Sequence, residues 1–219
     1  MDRFGYARTI DMTTYERNKE AADAENRFVF VCKNTGKVCL FTNTGQLHTM
    51  KVTDIPFGKF RDKGIPVDNI SNFDGEKEIV VAAESQTSLN LYRMIFVTRQ
   101  AMMKVVDGGE FDVAKRTVAA TKLAENDEVV SVAVMKEQKQ VVLQSADGYF
   151  LKFSIDEIPD KKKNAIGVRG MKLGTKDYVE NVYYLQSGTE QVINYKEKPV
   201  DLHKMKAAKR DGKGTKIRI

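Results

Sequence analysis

The sequence predicts an all-β chain of about five four-stranded, blade-like units in a propeller-like arrangement. Three observations carry that class. A short motif recurs at a constant offset: Thr121-Lys122-Leu123, Asp127, Val129 and Val132 against Met171-Lys172-Leu173, Asp177, Val179 and Val182, each 50 residues apart. A strand, turn, strand element recurs along the whole chain. No segment carries the long, capped, 3.6-residue period of a core helix.

The recurrent element is clearest at Val38-Cys39-Leu40-Phe41-Thr42, turning at Asn43-Thr44-Gly45 into Gln46-Leu47-His48-Thr49-Met50. A second copy is Val141-Val142-Leu143-Gln144-Ser145, turning at Ala146-Asp147-Gly148 into Tyr149-Phe150-Leu151-Lys152-Phe153. Both read as β-hairpins and both leave through a proline, at Asp54-Ile55-Pro56 and Asp156-Glu157-Ile158-Pro159. A third copy runs from Met94 to Val106 with Ala101 in the glycine position. A fourth runs from Val192 to Leu202 through Lys196-Glu197-Lys198. At the front, 5–11 read as the second half of a copy, so the first blade is expected to lack its opening strand. The turns fall at 5, 45, 101, 148 and 198, spacings of 40 to 56 residues. Four-stranded blades need about 40–50 residues, and one blade cannot bury its faces alone. Residues 1–219 are therefore expected to form a single domain. The acidic stretches 16–25, 74–84 and 156–160 read as loops or edges, with a short helix expected over 19–24.

Composition narrows the function classes. Hydrophobic residues are 42% and charged residues 30% of the 219, so a packed core is expected rather than disorder. No apolar run approaches the roughly 20 residues that span a bilayer, and the N-terminus lacks a signal-peptide core, so a cytoplasmic protein is expected. Cys32 and Cys39 read as reduced thiols rather than a disulfide or a zinc site. His48 and His203 stand far apart, without a nearby nucleophile motif, and Gly212-Lys213-Gly214 lacks phosphate-loop spacing. Neither a catalytic site nor a metal or cofactor is expected in this chain.

Charge carries the stronger signal. The net charge is +6, and residues 196–219 hold nine Lys or Arg against three Asp or Glu, leaving 1–195 neutral. Basic clusters follow the hairpins: Lys59, Arg61 and Lys63; Lys115 and Arg116; Lys161, Lys162 and Lys163 with Arg169 and Lys172; and Lys206, Lys209, Arg210 and Lys213. Each lies between a second hairpin strand and the next strand. A loop repeated around a ring recurs on one rim, which makes a curved positive track. Such a track suits bent duplex DNA, because phosphate contacts dominate affinity without reading sequence. The competing reading is a propeller used as a protein-interaction scaffold. That function does not require basic loops in several copies.

These residues resemble the C-terminal domain of the A subunit of bacterial type IIA topoisomerases, DNA gyrase and topoisomerase IV, over almost the whole chain. The most specific parts are Phe41-Thr42-Asn43-Thr44-Gly45, Asp54-Ile55-Pro56, Arg61-Asp62-Lys63-Gly64 and Ala165-Ile166-Gly167-Val168-Arg169-Gly170-Met171-Lys172-Leu173. The resemblance implies a β-pinwheel, a propeller-shaped ring of hairpin-invaded blades with DNA wrapped on its outer edge. The partners it implies are double-stranded DNA, the remainder of the A subunit, and the ATPase B subunit. ATP and magnesium would be used elsewhere in that parent complex. Gyrase carries the signature Gln-Arg-Arg-Gly-Gly-Lys-Gly, and its nearest match is Ala208-Lys209-Arg210-Asp211-Gly212-Lys213-Gly214. Ala208 and Asp211 depart from it, and the match lies in the last copy rather than the first. A topoisomerase IV-like or hybrid parent is expected. The family's Arg-Tyr cleavage dipeptide is absent from this sequence.

Overall fold

The computed structural model describes residues 1–217. Its elements run β1 (Tyr6–Ala7), α1 (Met12–Arg17), α2 (Lys19–Glu25), β2 (Lys37–Thr42), β3 (Gln46–Lys51), β4 (Ile65–Pro66), β5 (Val80–Ser85), α3 (Gln86–Leu89), β6 (Arg93–Thr98) and β7 (Met102–Asp107). They continue with β8 (Thr117–Ala119), β9 (Val129–Met135), β10 (Gln138–Ser145), β11 (Tyr149–Ser154), β12 (Val168–Arg169), β13 (Val179–Gln186), β14 (Val192–Tyr195), β15 (Lys198–Asp201) and β16 (Thr215–Lys216). The all-β pinwheel class read from the sequence is the class found. The short helix expected over 19–24 is α2. Its companion α1 carries no apolar stripe and is held by Asp11, whose carboxylate accepts from Thr14 N at 2.8 Å.

Two compact units divide the chain, Met1–Leu91 with Gly108–Ala120, and Tyr92–Asp107 with Thr121–Ile219. The first contains the sheet β5-β2-β3-β8 and the ribbon β1-β4. Its core joins Val38, Leu40, Met50, Val52, Ile55, Val67 and Val80. The second contains the sheets β12-β7-β6-β9 and β13-β10-β11-β16 and the ribbon β14-β15. Its larger core includes Ile95, Val97, Met103, Val105, Val141, Leu143, Leu151 and Phe153. A smaller cluster of Val142, Phe150, Leu185, Tyr195 and Leu202 packs around the last hairpin.

One turn chemistry serves four copies. Gly5, Gly45, Ala101 and Gly148 all have positive φ, at 85, 78, 62 and 81°. The residue three earlier accepts a backbone bond from each of them: Asp2, Thr42, Thr98 and Ser145. The same residue's side-chain oxygen accepts the amide of the first residue of the returning strand, Tyr6, Gln46, Met102 and Tyr149, at 2.9, 3.3, 3.0 and 3.3 Å. Side chain and main chain thus close each turn together. A register shift follows at Thr42, Thr98 and Ser145, where the outer strand pairs with a bulge. The Val192 hairpin uses different chemistry, with Lys196 and Glu197 at φ 47 and 65°, the double left-handed geometry of a type I′ turn.

The strand after each hairpin does not join that hairpin. β4 pairs with β1, β8 with β3, β12 with β7 and β16 with β11. In register, Pro66, Ala119, Arg169 and Lys216 stand opposite Tyr6, Gln46, Met102 and Tyr149, the first residue after each turn. Every copy therefore lends a strand to the copy before it. The basic loops are the segments that make these crossings.

Candidate nucleic-acid interface

Three of the basic loops have one construction. Gly58, Lys161 and Ala208 donate their amides to Thr9, Val105 and Lys152, each four residues past a turn. Six residues later stand Gly64, Gly167 and Gly214, at φ 81, 105 and 79°. A Cβ there would lie 2.3 Å from the carbonyl oxygen of Ala7, 2.4 Å from that of Met103 and 2.5 Å from that of Phe150. Both the left-handed backbone and the close approach require glycine. The windows 58–64, 161–167 and 208–214 are therefore counterparts. The segment 208–214, read from sequence as the nearest match to the gyrase signature, is the third occurrence of one loop.

The lysines Lys59, Lys63, Lys161, Lys162, Lys209 and Lys213 and the arginine Arg61 are exposed on these loops, and Lys163 is half-buried. Lys63 and Lys213 occupy the position just before the glycine, and each lies over the tyrosine that follows a turn. The ammonium groups stand 4.6 Å from the ring centre of Tyr6 and 4.8 Å from that of Tyr149. The third loop has Ile166 and Met102 at these two places, an apolar pair.

Lys115 and Arg116 are exposed on a differently built loop. Here Thr49 N donates to Arg116 O at 2.8 Å, and Arg116 Nη2 donates to Ile70 O at 2.6 Å. Thr117 takes the glycine position and its hydroxyl meets His48 Nδ1 at 3.0 Å.

Not every predicted cation is equally available. Arg169 forms a two-pronged pair with Asp211, through Nε–Oδ1 and Nη2–Oδ2. The pair holds the Asp211 carboxyl below its ordinary pKa and raises that of the guanidinium. Arg210 turns towards main-chain carbonyls, with Nε donating to Glu157 O at 2.9 Å and Nη1 to Arg169 O at 2.5 Å. Arg169, Arg210 and Asp211 therefore stitch the 208–214 loop to β12. Lys172 and Lys206 are exposed outside the three windows.

Sequence reasoning missed the groups that hold the loops. Lys104 is 1% exposed on β7, among apolar neighbours. Its ammonium donates to Lys162 O, Lys163 O and Ala165 O at 3.3, 2.6 and 2.8 Å. Arg8, likewise three residues past its turn, donates Nη1 to Asp62 O at 2.7 Å, and Asp62 is the counterpart of Ala165. Lys152 donates to His203 O at 2.8 Å. The available signal was a basic residue on the apolar returning strand of each hairpin.

The acidic residues also have internal roles. Asp127 and Asp177 accept the turn amides of Gln100 and Asp147, both at 2.9 Å. Glu78, just ahead of β5, pairs with buried His48, Nε2 to Oε1 at 3.0 Å. Burial pushes the Glu78 carboxyl up, but hydrogen bonds from Thr42, His48 and Thr44 outweigh it and leave the pKa lowered. The acidic stretch 74–84 reads from the sequence as a loop or edge; within it the structure makes Glu78 a nearly buried clamp. Cys32 and Cys39 are free thiols, and burial pushes Cys39 up to about 12. Among the described residues, no group of three or more His, Cys, Asp or Glu is placed to hold a metal. None of their helices is long and apolar enough to cross a membrane.

Known proteins are similar to this chain in sequence and in fold. The chain is 26% identical over 233 residues to the DNA gyrase A subunit of Lawsonia intracellularis, covering 98% of this chain and 28% of that protein. It is 26% identical over 205 residues to the corresponding gyrase protein of Helicobacter pylori, covering 88% of this chain and 25% of the relative. The chain thus spans about a quarter of the length of these relatives. Among solved structures, the C-terminal domain of DNA topoisomerase IV superposes with a TM-score of 0.85 at 23% identity, over 98% of this chain and 70% of that one. The E. coli ParC C-terminal domain superposes with a TM-score of 0.77 at 16% identity, over 100% and 92%. At these identities the structural matches establish the fold. Residues 36–86, 93–135 and 139–185 match the family model described as DNA gyrase C-terminal domain, beta-propeller, and the chain belongs to that family.

Proposed function

We propose that this chain binds duplex DNA without sequence preference and bends it, presenting it to the cleavage gate of a topoisomerase IV-like or gyrase-like parent enzyme. The observation that carries this reading is the loop built three times on an obligate glycine, with exposed lysines at matching places. Phosphates ask for cations at regular intervals and supply no sequence information. Rigid loops closed by buried Lys104 and by Arg8 hold those cations at low entropic cost. Bending 20–30 base pairs by 40–90° costs on the order of 1–6 kcal/mol, within what several phosphate contacts offset.

In this reading the chain supplies DNA geometry and no bond chemistry. Its protein partners are the remainder of the A subunit, together with the ATPase B subunit. The parent uses ATP and magnesium, and the setting is cytoplasmic. The acidic Asp62 and Asp211, at neighbouring places in two of the loops, distinguish them from the gyrase signature and favour modest wrapping.

The test is energy transfer between dyes on the ends of a duplex of about 40 base pairs, short against the roughly 150-base-pair persistence length. Saturating protein brings the ends together. Changing Lys161, Lys162 and Lys163 to Glu reopens them while part of the affinity remains. An end-to-end distance that stays at the free-duplex value under saturating protein overturns bending. Binding indifferent to salt favours a protein-interaction scaffold.

A further inference from the structure

One face of the sheet β13-β10-β11-β16 carries the apolar cluster of Val142, Phe150 and Leu185. Towards one end that face turns polar. Lys152 stands opposite Val142, and Gln140 stands between Ser154 and Leu185, its partners in register. Residues two apart share a face of a strand, so Lys152 and Ser154 project together. They line a cavity of about 450 Å³, with Lys139, Gln186, Ser187 and His203 also in its wall.

Lys152 is only 5% exposed. Its counterparts four residues past the other turns are Thr9, Thr49 and Val105, so the strand itself does not call for a cation there. A buried ammonium needs partners for three N–H donors and a balance for its charge. Lys104 meets the first need with three carbonyls. Among the described residues, Lys152 Nζ donates only to His203 O, at 2.8 Å. None of their carboxylates lines the cavity. Asp201, close in sequence, is engaged by His203 N at 2.9 Å and by Lys204.

Two further groups in the wall have capacity to spare. His203 Nε2 is buried and finds no hydrogen-bond partner among the described residues. Ser154 Oγ accepts Asp156 N at 3.3 Å, which leaves its O–H to donate. The cavity thus offers donors around an ammonium and no negative charge to balance it.

We propose that this cavity binds a small sugar phosphate, its terminal phosphate held by Lys152 Nζ and the Ser154 hydroxyl, with Lys139 adding positive charge. A phosphate dianion supplies both the charge and the acceptors that the buried ammonium lacks. It fills only part of the cavity. The remaining wall is made by Gln140, Gln186 and Ser187, and Leu185 is its one apolar member among the described residues. Amides and hydroxyls suit the hydroxyl groups of a sugar, whereas a nucleobase asks for an aromatic platform to stack on. A duplex backbone fits poorly. The lysines assigned to DNA, such as Lys161 and Lys209, are exposed, while Lys152 is recessed.

The test titrates ribose-5-phosphate, inorganic phosphate and ribose into the whole chain and follows its proton–nitrogen amide spectrum. Ribose-5-phosphate shifts the amides of Gln140, Lys152, Ser154 and His203 saturably. Inorganic phosphate shifts Lys152 and Ser154 more weakly, and ribose shifts none of them. Lys152→Met lowers the affinity at least about tenfold, the loss of a hydrogen bond from a charged group. Ser154→Ala leaves the Lys152–His203 bond in place and lowers it several-fold, so the proposal stays testable if Lys152→Met does not fold. No saturable shift with ribose-5-phosphate overturns the proposal, as does equal binding by both folded variants or by ribose alone. Displacement of the sugar phosphate by duplex DNA with unphosphorylated ends also overturns it, by making the cavity a backbone contact. The proposal does not rest on DNA binding, and its outcomes stand whether or not the chain bends DNA.

Discussion

The ammonium of Lys213 lies 4.8 Å from the ring centre of Tyr149, and the same relationship recurs between Lys63 and Tyr6 at 4.6 Å. In each pair the tyrosine is the first residue after a turn and the lysine precedes the crossing glycine. The ring positions a cation that remains exposed. A contact of this kind at a solvated site contributes about 0.5–1 kcal/mol.

The two partners are expected to separate in function. Lys63→Met and Lys213→Met should each reduce the slope of log affinity for DNA against log salt by about 1, the effect of one lost phosphate contact. Tyr149→Leu should leave the slope unchanged and lower stability by about 0.5–1 kcal/mol. Titrations at several salt concentrations, paired with urea unfolding, read both quantities. With about six contacts in the unaltered chain, its slope should lie near −5.

Lys104 is expected to be the most sensitive lysine although DNA cannot reach it. Lys104→Met keeps the volume and leaves the carbonyls of Lys162, Lys163 and Ala165 without their shared donor. Such a loss costs about 1–3 kcal/mol or more. The predicted result is a lower unfolding midpoint and earlier protease cleavage within 161–167. An unchanged midpoint would show that the carbonyls find other donors.

Backbone conformation gives predictions of both signs. Gly167→Ala forces a Cβ to within 2.4 Å of Met103 O at φ 105° and should destabilise by more than about 1–2 kcal/mol. Gly188→Ala meets nothing within 4 Å at φ 80° and should cost only the left-handed penalty of about 1–2 kcal/mol. Ala101 already bears that penalty at φ 62°, so Ala101→Gly should cost little or stabilise by up to about 1 kcal/mol. Chemical denaturation of the three variants ranks them.

Acid should weaken the first unit through Glu78. Its folded pKa lies below the ordinary 4.5, so the charged form is the one the fold favours. The resulting stabilisation is complete above about pH 4.5 and disappears as pH falls through the lower folded value. Glu78→Gln should therefore be less stable than the parent chain at about pH 7, with the difference shrinking towards about pH 3. Thermal unfolding across that range checks the sign.

The hairpins were legible because their signals are local: alternating apolar residues, glycine at a left-handed position, a proline after the return. Asp127 and Asp177 announced themselves by a constant spacing, and their shared role as turn clamps explains it. The crossing strands β4, β8, β12 and β16 were not legible as pairings. They are two or three residues long, and their partners lie far back along the chain, as Arg169 does from Met102. The loop cations could be found by charge alone, but their anchoring could not. Arg169 and Lys163 look alike in sequence, yet one is held by Asp211 and the other presents its carbonyl to Lys104.

The exchange of strands between copies sets a timetable for a chain emerging from the ribosome. The sheet that opens with Lys37 is complete only when Ala119 has been made, the one that opens with Arg93 only with Arg169, and the one that opens with Gln138 only with Lys216. Each hairpin must wait, one edge bare, for its successor to be synthesised. At about 5–20 residues per second that wait lasts several seconds. Translation speed across the crossing loops therefore bears directly on how long those edges stay open to wrong partners.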